Sequence, residues 1–247
     1  MRKNDQAGGL VAATSFVAGT ITPLGPDRHP MSQPQPLLPP SVVRVSSSIE
    51  ISDYTAAGVN EAIRDRYWPC VDDLIGKGAQ SITLAGFPIA SQLGRPRVLE
   101  LQQETAARTG VIADSQAEAT VAALQHLGVQ RIAIASRWSH ELNELLVAYL
   151  KHADIEVQAI TSVGQWAQQA FSMSIEEGVK LAFLLGREAM RQAPAAQALL
   201  LAGGAWRSLA AVPILGAFAA LYLLRDLDCF SVDEWRAGAG RRVPGAA

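Results

Sequence analysis

From residue 78 onward, short apolar runs alternate with longer stretches of helical periodicity. The apolar runs are SITLAG (81–86), RIAIAS (131–136), IEVQAI (155–160) and QALLLAGG (197–204). Because these runs are almost unbroken by polar residues, they are typical of strands that are buried on both faces. Helices between consecutive strands make the connections parallel, so the pattern predicts an α/β fold with helices on both faces of mostly parallel sheets.

Two of the predicted helices open with a serine and a glutamate at capping-box spacing. These pairs are Ser115 with Glu118 and Ser174 with Glu177. In such a box, each side chain accepts a hydrogen bond from the other residue's backbone N–H group. The helices predicted between the strands cover 56–78 (bent near Pro69), 96–110, 115–128, 139–153 and 174–193.

The runs SITLAGF and ALLLAGG resemble each other: each contains a predicted strand that follows a helix and ends at glycine, Gly86 in the first and Gly203 in the second. This internal similarity predicts two pseudo-symmetric Rossmann-like halves with a ligand cleft between them. The predicted organisation is an N-terminal tail (1–8), a first half (9–112) that includes a proline-rich loop (23–41), a second half (113–236) and a disordered tail (237–247), with the closing elements shared.

Charge and cysteine content exclude several classes of protein. A net charge of −2 and a pI near 6.1 leave no basic surface for nucleic acid. Cys70 and Cys229 fit neither a metal motif nor a disulfide framework, which favours a reducing, cytoplasmic location. The uncharged stretch 209–224 is too short for a membrane span and contains Pro213, so we expect a buried segment.

No standard catalytic or nucleotide-binding motif is present. The sequence has no G-x-S-x-G, H-E-x-x-H, C-x-x-C, Walker A or complete G-x-G-x-x-G motif, so no cofactor and no metal are predicted. Of the histidines, His126 and His152 fall near helix C-termini, where they would complement the helix dipole. His140 follows a strand end and is a candidate for contact with a ligand.

Ligands of open α/β sheets bind beyond the carboxyl ends of the strands. The segments that fall there are 86–91, 114–118, 136–140 and 202–206. At the last of these, Gly203 and Gly204 would offer backbone N–H groups to an anion.

The order and spacing of three segments resemble the aspartate/glutamate racemase superfamily, in particular its arylmalonate decarboxylase and maleate cis-trans isomerase branch. The segments are GAQSITLAGFPIASQLG, ALQHLGVQRIAIASRWSHELNELLVAYL and LLLAGGAW. The resemblance implies two α/β halves that enclose a small carboxylate. It also implies cysteines at strand ends, which serve as proton donors in racemases and the decarboxylase and as a nucleophile in the isomerase.

At its key positions the sequence departs from this family pattern. The two cysteine positions of the family are occupied by Gly86 and Ala202, and a hydroxyl pair is replaced by Phe87-Pro88. Proline has no N–H group to offer an oxyanion, and Trp138 stands where a tyrosine is expected. These changes exclude thiol-based racemase, isomerase or decarboxylase chemistry and predict a more aromatic site, unless the tryptophans simply pack the core.

The remaining polar candidates each have a structural alternative. Glu118 is predicted as a general base with Ser115 beside it, although a capping box would explain both residues. Ser136 and Arg137 follow a strand and would reach a substrate carboxylate, although Arg137 would equally suit the protein surface. The residues predicted to contact substrate are Gly86, Phe87, Pro88, Ser136, Arg137, Trp138, His140, Ala202, Gly203 and Gly204, with Ser91 and Asp114 as further candidates.

The resulting functional hypothesis is a cofactor-independent lyase or isomerase. It would act on a small carboxylate or carbonyl compound through an enolate-like intermediate, with Glu118 or water in place of the thiols. Two alternatives remain open: a hydrolase or decarboxylase that activates water in the same cleft, and a non-catalytic ligand-binding homologue. We expect a homo-oligomer that contacts neither nucleic acid nor membrane.

Overall fold

The computed structural model describes residues 15–23, 41–51, 54–165 and 173–202. The terminal tails, most of the proline-rich loop and the uncharged stretch 209–224 lie outside these residues. Gly203, Gly204, Trp206 and Cys229 also lie outside them.

The described chain contains seven strands and six helices, and from β4 onward they alternate. The strands are β1 (Phe16–Thr22), β2 (Val42–Ser48), β3 (Ser81–Leu84), β4 (Ile112–Ser115), β5 (Arg131–Ala135), β6 (Glu156–Thr161) and β7 (Ala198–Leu201). The helices are α1 (Ala56–Gly76), α2 (Phe87–Leu93), α3 (Arg95–Thr109), α4 (Gln116–His126), α5 (His140–Lys151) and α6 (Ile175–Gln192).

The strands form two separate parallel sheets, as the alternation predicts. The first sheet has the order β2-β1-β3-β4 and the second has the order β6-β5-β7. The first strand of each sheet therefore lies between the two strands that follow it, which gives both halves the same winding. β4 pairs with β3 through Ser115, so the first sheet extends three residues beyond the predicted boundary at 112.

β5 is the central strand of the second sheet and separates two kinds of packing. Ile132 and Ile134 join a large apolar cluster that includes residues of α4 and α5. Ala133 and Ala135 point to the opposite face, where they contact alanines of α6. Because side chains alternate along a strand, the I-A-I-A pattern gives one bulky face and one face that a helix can approach closely.

Local sequence signals place the ends of the helices. Ser174 and Glu177 form a complete capping box at the start of α6. Ser139 caps α5 by accepting a hydrogen bond from the N–H of Leu142. α1 continues through Pro69 as one helix from Ala56 to Gly76.

The two halves meet through α2 and α5. α2 follows β3 of the first half and packs against α5 of the second half. The cluster at this junction includes Phe87 and Ala90 of α2 together with Leu142 and Leu146 of α5. A second cluster fills the first half between its sheet and α1. Within the described ranges, no helix is long and apolar enough to cross a membrane.

Candidate functional site

The carboxyl ends of β3, β5 and β7 converge at the junction between the halves. Phe87 begins the helix after β3, Trp138 follows β5, and Ala202 follows β7. All three belong to one buried apolar cluster. The ring centroids of Phe87 and Trp138 are 6.2 Å apart, with an angle of 49° between the ring planes. Residues far apart in the sequence therefore lie together where the two sheets present their carboxyl edges.

The turn between β3 and α2 requires glycine at position 86. Gly86 has a φ of 104°, a conformation that residues with a Cβ rarely adopt. Its N–H donates to Oε1 of Gln116 over 2.9 Å, and Gln116 is the first residue of α4. Pro88 removes a second N–H from the first turn of α2. The first half thus has neither of these backbone donors free for an anion at this turn.

Ser136 is committed to the turn that follows β5. Its side chain is fully buried, and its hydroxyl donates to Oδ1 of Asn143 over 2.6 Å. Ser136 Oγ also accepts a hydrogen bond from the N–H of Trp138, and Nδ2 of Asn143 donates to the Trp138 carbonyl. Ser136 and Asn143 therefore fix the backbone on which Trp138 stands. Asn143 was not predicted, because an asparagine inside an amphipathic helix gives no distinctive sequence signal.

Arg137 is buried, so the alternative that placed it on the surface is wrong. Only 3% of its surface is exposed. Nε and Nη2 donate to Oε1 of Gln165 over 2.9 and 2.6 Å. Nη1 is shielded from solvent and has no hydrogen-bond partner among the described residues. Desolvation lowers the pKa of this guanidinium, and no carboxylate of the described chain forms an ion pair with it.

Ser115 and Glu118 form only half of the predicted capping box. The Ser115 hydroxyl accepts a hydrogen bond from the N–H of Glu118, as expected at an N-cap. The Ser115 N–H, however, donates to the carboxylate of its neighbour Asp114 rather than to Glu118. The interpretation that a capping box explains both residues is therefore wrong for the Glu118 side chain, which extends elsewhere.

The Glu118 carboxylate instead binds two partners on other helices. Oε1 accepts from Nε of Arg95 at 2.9 Å and from the Tyr149 hydroxyl at 2.7 Å, and Oε2 accepts from Nη2 of Arg95 at 3.1 Å. Arg95 also donates to the carbonyl of His152. The Glu118 hydrogen bond raises the pKa of Arg95, while burial, followed by the Glu118 contact, raises the pKa of Tyr149.

This cluster lies away from the aromatic junction. α5 begins beside Trp138 and carries Tyr149 in its last turn, at the opposite end of a helix roughly 18 Å long. Glu118, which contacts Tyr149, is therefore held apart from Trp138, and both of its oxygens are already bound. The geometry favours a structural ion pair over the general base predicted from the sequence.

The remaining candidates are scattered. The His140 side chain is 82% exposed and lies 3.2 Å from Glu144 on the surface of α5. Ser91 is buried on α2, and its hydroxyl has no hydrogen-bond partner within the described ranges. His126 ends α4 and His152 caps α5, as predicted. Cys70 is a buried thiol of α1 that donates to the Ser48 carbonyl; burial raises its pKa.

A metal centre has no ligands in the part of the chain that the structure describes. No group of three or more histidine, cysteine, aspartate or glutamate side chains lies close enough together there to hold an ion.

The chain belongs to the arylmalonate decarboxylase family, since the model of that family matches residues 24–223. This match confirms the resemblance inferred from the order of the segments. No curated protein sequence matches significantly.

Solved structures of this family and of maleate isomerases share the fold. An arylmalonate decarboxylase structure has 21% identity and a TM-score of 0.65, with 93% of this chain and 96% of that chain covered. A doubly substituted, liganded arylmalonate decarboxylase has 20% identity and a TM-score of 0.71, with 94% and 97% covered. The maleate isomerase of Pseudomonas putida S16 with maleate has 17% identity and a TM-score of 0.67, with 83% and 84% covered.

Proposed function

We propose that the chain is a cofactor-independent lyase of the decarboxylase type, which acts on a small carboxylate through an enolate-like intermediate without a thiol. The observation that carries this proposal is the convergence of Phe87, Trp138 and Ala202 at the carboxyl ends of strands from both halves. The family match supports an enzyme with this architecture, and the aromatic side chains favour a substrate with an apolar or aromatic substituent.

Decarboxylation is favoured over isomerisation because it needs no nucleophile on the protein. Cis-trans isomerisation at a carbon–carbon double bond requires a group that adds to one carbon and converts the double bond to a single bond. Gly86 and Ala202 occupy the positions where the family resemblance implies thiols, and neither has a nucleophilic atom.

In the proposed reaction, the bond between Cα and the departing carboxylate breaks, and its electron pair moves into the retained carboxylate. Carbon dioxide leaves, and the resulting enediolate takes a proton at Cα from water, which becomes hydroxide. Water is the proposed donor because Glu118, the carboxylate predicted for proton transfer, is bound to Arg95 and Tyr149.

The test is proton NMR of the purified protein in D₂O with phenylmalonate, 2-methyl-2-phenylmalonate, alkylmalonates, maleate and aspartate. We expect loss of one carboxyl group from aryl-substituted malonates, with deuterium at Cα. The rate should lie about 10²- to 10⁴-fold below that of a relative with a placed proton donor. The 2-methyl-2-phenylmalonate product should contain both enantiomers, because no single acid on one face delivers the proton.

Two controls make the NMR result specific to this site. Phe87→Leu should reduce turnover of aryl-substituted malonates more than that of alkylmalonates, because it removes the ring that faces Trp138. Arg64→Met, at an exposed ion pair of α1, should leave turnover unchanged. Line broadening of the substrates without turnover would favour a non-catalytic binding protein. Isomerisation of maleate would contradict the preference for decarboxylation.

The cytoplasmic location and the homo-oligomeric state remain predictions from the sequence. Size-exclusion chromatography with light scattering tests the oligomeric state directly.

A further inference from the structure

Arg137 is a deeply buried cation whose charge is not balanced by any carboxylate among the residues that the structure describes. It stands at the carboxyl end of β5, next to Trp138, and is 3% exposed. Its guanidinium group has five N–H donors, of which the two described hydrogen bonds to Gln165 use one on Nε and one on Nη2. The acceptor is a neutral amide oxygen, so the positive charge has no negative partner among the described residues.

The orientation of the guanidinium is fixed by a second contact to the same residue. The backbone N–H of Gln165 donates to the Arg137 carbonyl over 2.5 Å, while the Gln165 side chain accepts from Nε and Nη2. Gln165 belongs to the loop after β6, the neighbour of β5 in the second sheet. Two contacts to one residue hold the arginine so that Nη1, which has no partner in the described parts of the chain, faces away from the amide.

A buried charge that is hydrogen-bonded on one side and unpartnered on the other destabilises the folded state unless something else compensates for it. An anion at Nη1 would supply that compensation. Carboxylates match the planar fork of arginine, because two parallel hydrogen bonds can form. Arg137 immediately precedes Trp138 at the carboxyl end of β5, which is the sheet edge where ligands of α/β proteins bind and where the aromatic junction lies.

We propose that Arg137 binds the carboxylate that the substrate of the proposed decarboxylation retains. This inference rests on the proposed function. During loss of carbon dioxide, negative charge leaves the departing carboxylate and accumulates on the retained one. A cation accelerates the reaction only if it faces the group where charge grows.

This assignment also accounts for the donors that the first half lacks. Pro88 has no N–H, and the Gly86 N–H is bound to Gln116. A substrate carboxylate at the junction would find neither of these donors on the first half. Arg137 lies on the second half, where its N–H groups would take over the role of binding the carboxylate.

The experiment measures binding separately from turnover, by isothermal titration calorimetry and thermal unfolding with malonate, phenylmalonate and sulfate as probes. It compares the wild-type chain with Arg137→Met and Arg137→Gln. The matched control is Arg131→Met, which removes an arginine from the opposite end of the same strand, where it donates to the Ala195 carbonyl.

We expect Arg137→Met to weaken phenylmalonate and malonate binding at least about tenfold, and Arg131→Met to change it less than about twofold. Without ligand, Arg137→Met should unfold at the same temperature as the wild type or higher, because the variant no longer buries an uncompensated charge. Phenylmalonate should stabilise the wild type and fail to stabilise Arg137→Met.

Several results would overturn the proposal. These are unchanged phenylmalonate binding in Arg137→Met, no binding of either malonate by the wild type, and sulfate binding as tight as that of the malonates. Failure of both Arg137 variants to fold would also overturn it, since the arginine would then be a stabilising residue.

Binding that depends on Arg137, without release of carbon dioxide from any malonate, would disprove the lyase and leave the anion site standing. Release of carbon dioxide at the wild-type rate by Arg137→Met would disprove the role of Arg137 and leave the proposed lyase activity standing.

Discussion

Arg95 and Arg137 are two largely buried arginines that differ in the charge of their hydrogen-bond partners. Arg95 begins α3 and is paired by two hydrogen bonds with the Glu118 carboxylate, which also accepts from Tyr149. Arg137 follows β5 and is more deeply buried, yet its described partner is the neutral amide of Gln165. The first arginine joins α3 to α4 and, through the shared carboxylate, to α5. The second has donor groups that the described protein leaves unused.

The comparison distinguishes an arginine that stabilises the fold through a carboxylate partner from an arginine that is oriented to bind an anionic ligand. A buried arginine that pairs with a carboxylate has its charge neutralised within the protein, so removing either partner leaves an uncompensated charge behind. A buried arginine that is oriented but not neutralised reduces stability, and this is a typical cost of a binding site. Each of the following variants tests one side of this contrast.

The largest expected effect is that of Glu118→Gln. This variant removes the charge that neutralises Arg95, whose side chain is 21% exposed, so the free energy of unfolding should fall by about 2 to 3 kcal/mol. Urea denaturation measures the change. Glu100→Gln, at an exposed pair with Arg97, is the control and should change stability by less than about 0.5 kcal/mol.

The same Glu118→Gln variant decides the role predicted for this residue from the sequence. If water delivers the proton, decarboxylation at a temperature well below unfolding should keep its wild-type kcat. A kcat loss of about 10²-fold or more in a folded Glu118→Gln protein would instead establish Glu118 as the proton-transfer residue.

Gln165→Leu should have a smaller effect, of about 1 to 2 kcal/mol, because it removes the acceptor of two hydrogen bonds and leaves Arg137 buried with neither. The double variant Gln165→Leu with Arg137→Met should recover most of the lost free energy of unfolding, because it no longer buries a guanidinium without a hydrogen-bond acceptor. Denaturation of all four proteins gives the coupling energy. Strictly additive losses would show that Arg137 needs no compensation.

Tyr149→Phe should lower the free energy of unfolding by about 1 kcal/mol, because only one of the hydrogen bonds to Glu118 is lost and the Arg95 pair persists. Thermal and urea unfolding both report this change. A loss as large as that of Glu118→Gln would mean that the tyrosine, and not the arginine, is the main partner of the carboxylate.

The smallest effect is expected at the surface pair of Arg191 and Glu188. Hydrogen bonds from Arg191 and Gln192 lower the pKa of Glu188 to about 2. Because the pKa is lower in the folded state, any stabilisation is fully present above the ordinary carboxyl pKa of 4.5 and is lost as the pH falls through about 2. Glu188→Gln should leave the denaturation midpoint at neutral pH within experimental scatter, unlike Glu118→Gln.

The architecture could be predicted from the sequence because its signals are local. Apolar runs with helical segments between them identify β3, β5, β6 and β7, and the capping box at Ser174 marks the start of α6. The order of the strands within each sheet could not be read from these signals. It depends on which edges pair, and β4 consequently belongs to the first sheet.

The candidate site was predicted less completely, because its contacts join residues distant in the sequence. The spacing of Ser115 and Glu118 predicts a local box, but Arg95, 23 residues away from Glu118, binds the carboxylate instead. Similarly, the position of Arg137 after a strand does not reveal that Gln165, 28 residues later, holds its guanidinium. Local patterns predict where side chains begin, whereas tertiary packing decides which partners they reach.

The turn at Gly86 bears on whether thiols could be introduced by mutation at the two positions where the family resemblance implies them. At Ala202 a cysteine would add a single sulfur atom to an ordinary side chain. At Gly86 any side chain would adopt an unfavourable backbone conformation, at a cost of about 1 to 3 kcal/mol, although the three heavy atoms nearest to the new Cβ atom, which belong to Ile89 and Pro23, lie no closer than 3.4 Å. The two positions therefore differ in how readily they accept a cysteine: a chain of this kind can acquire a one-thiol site more readily than a two-thiol site.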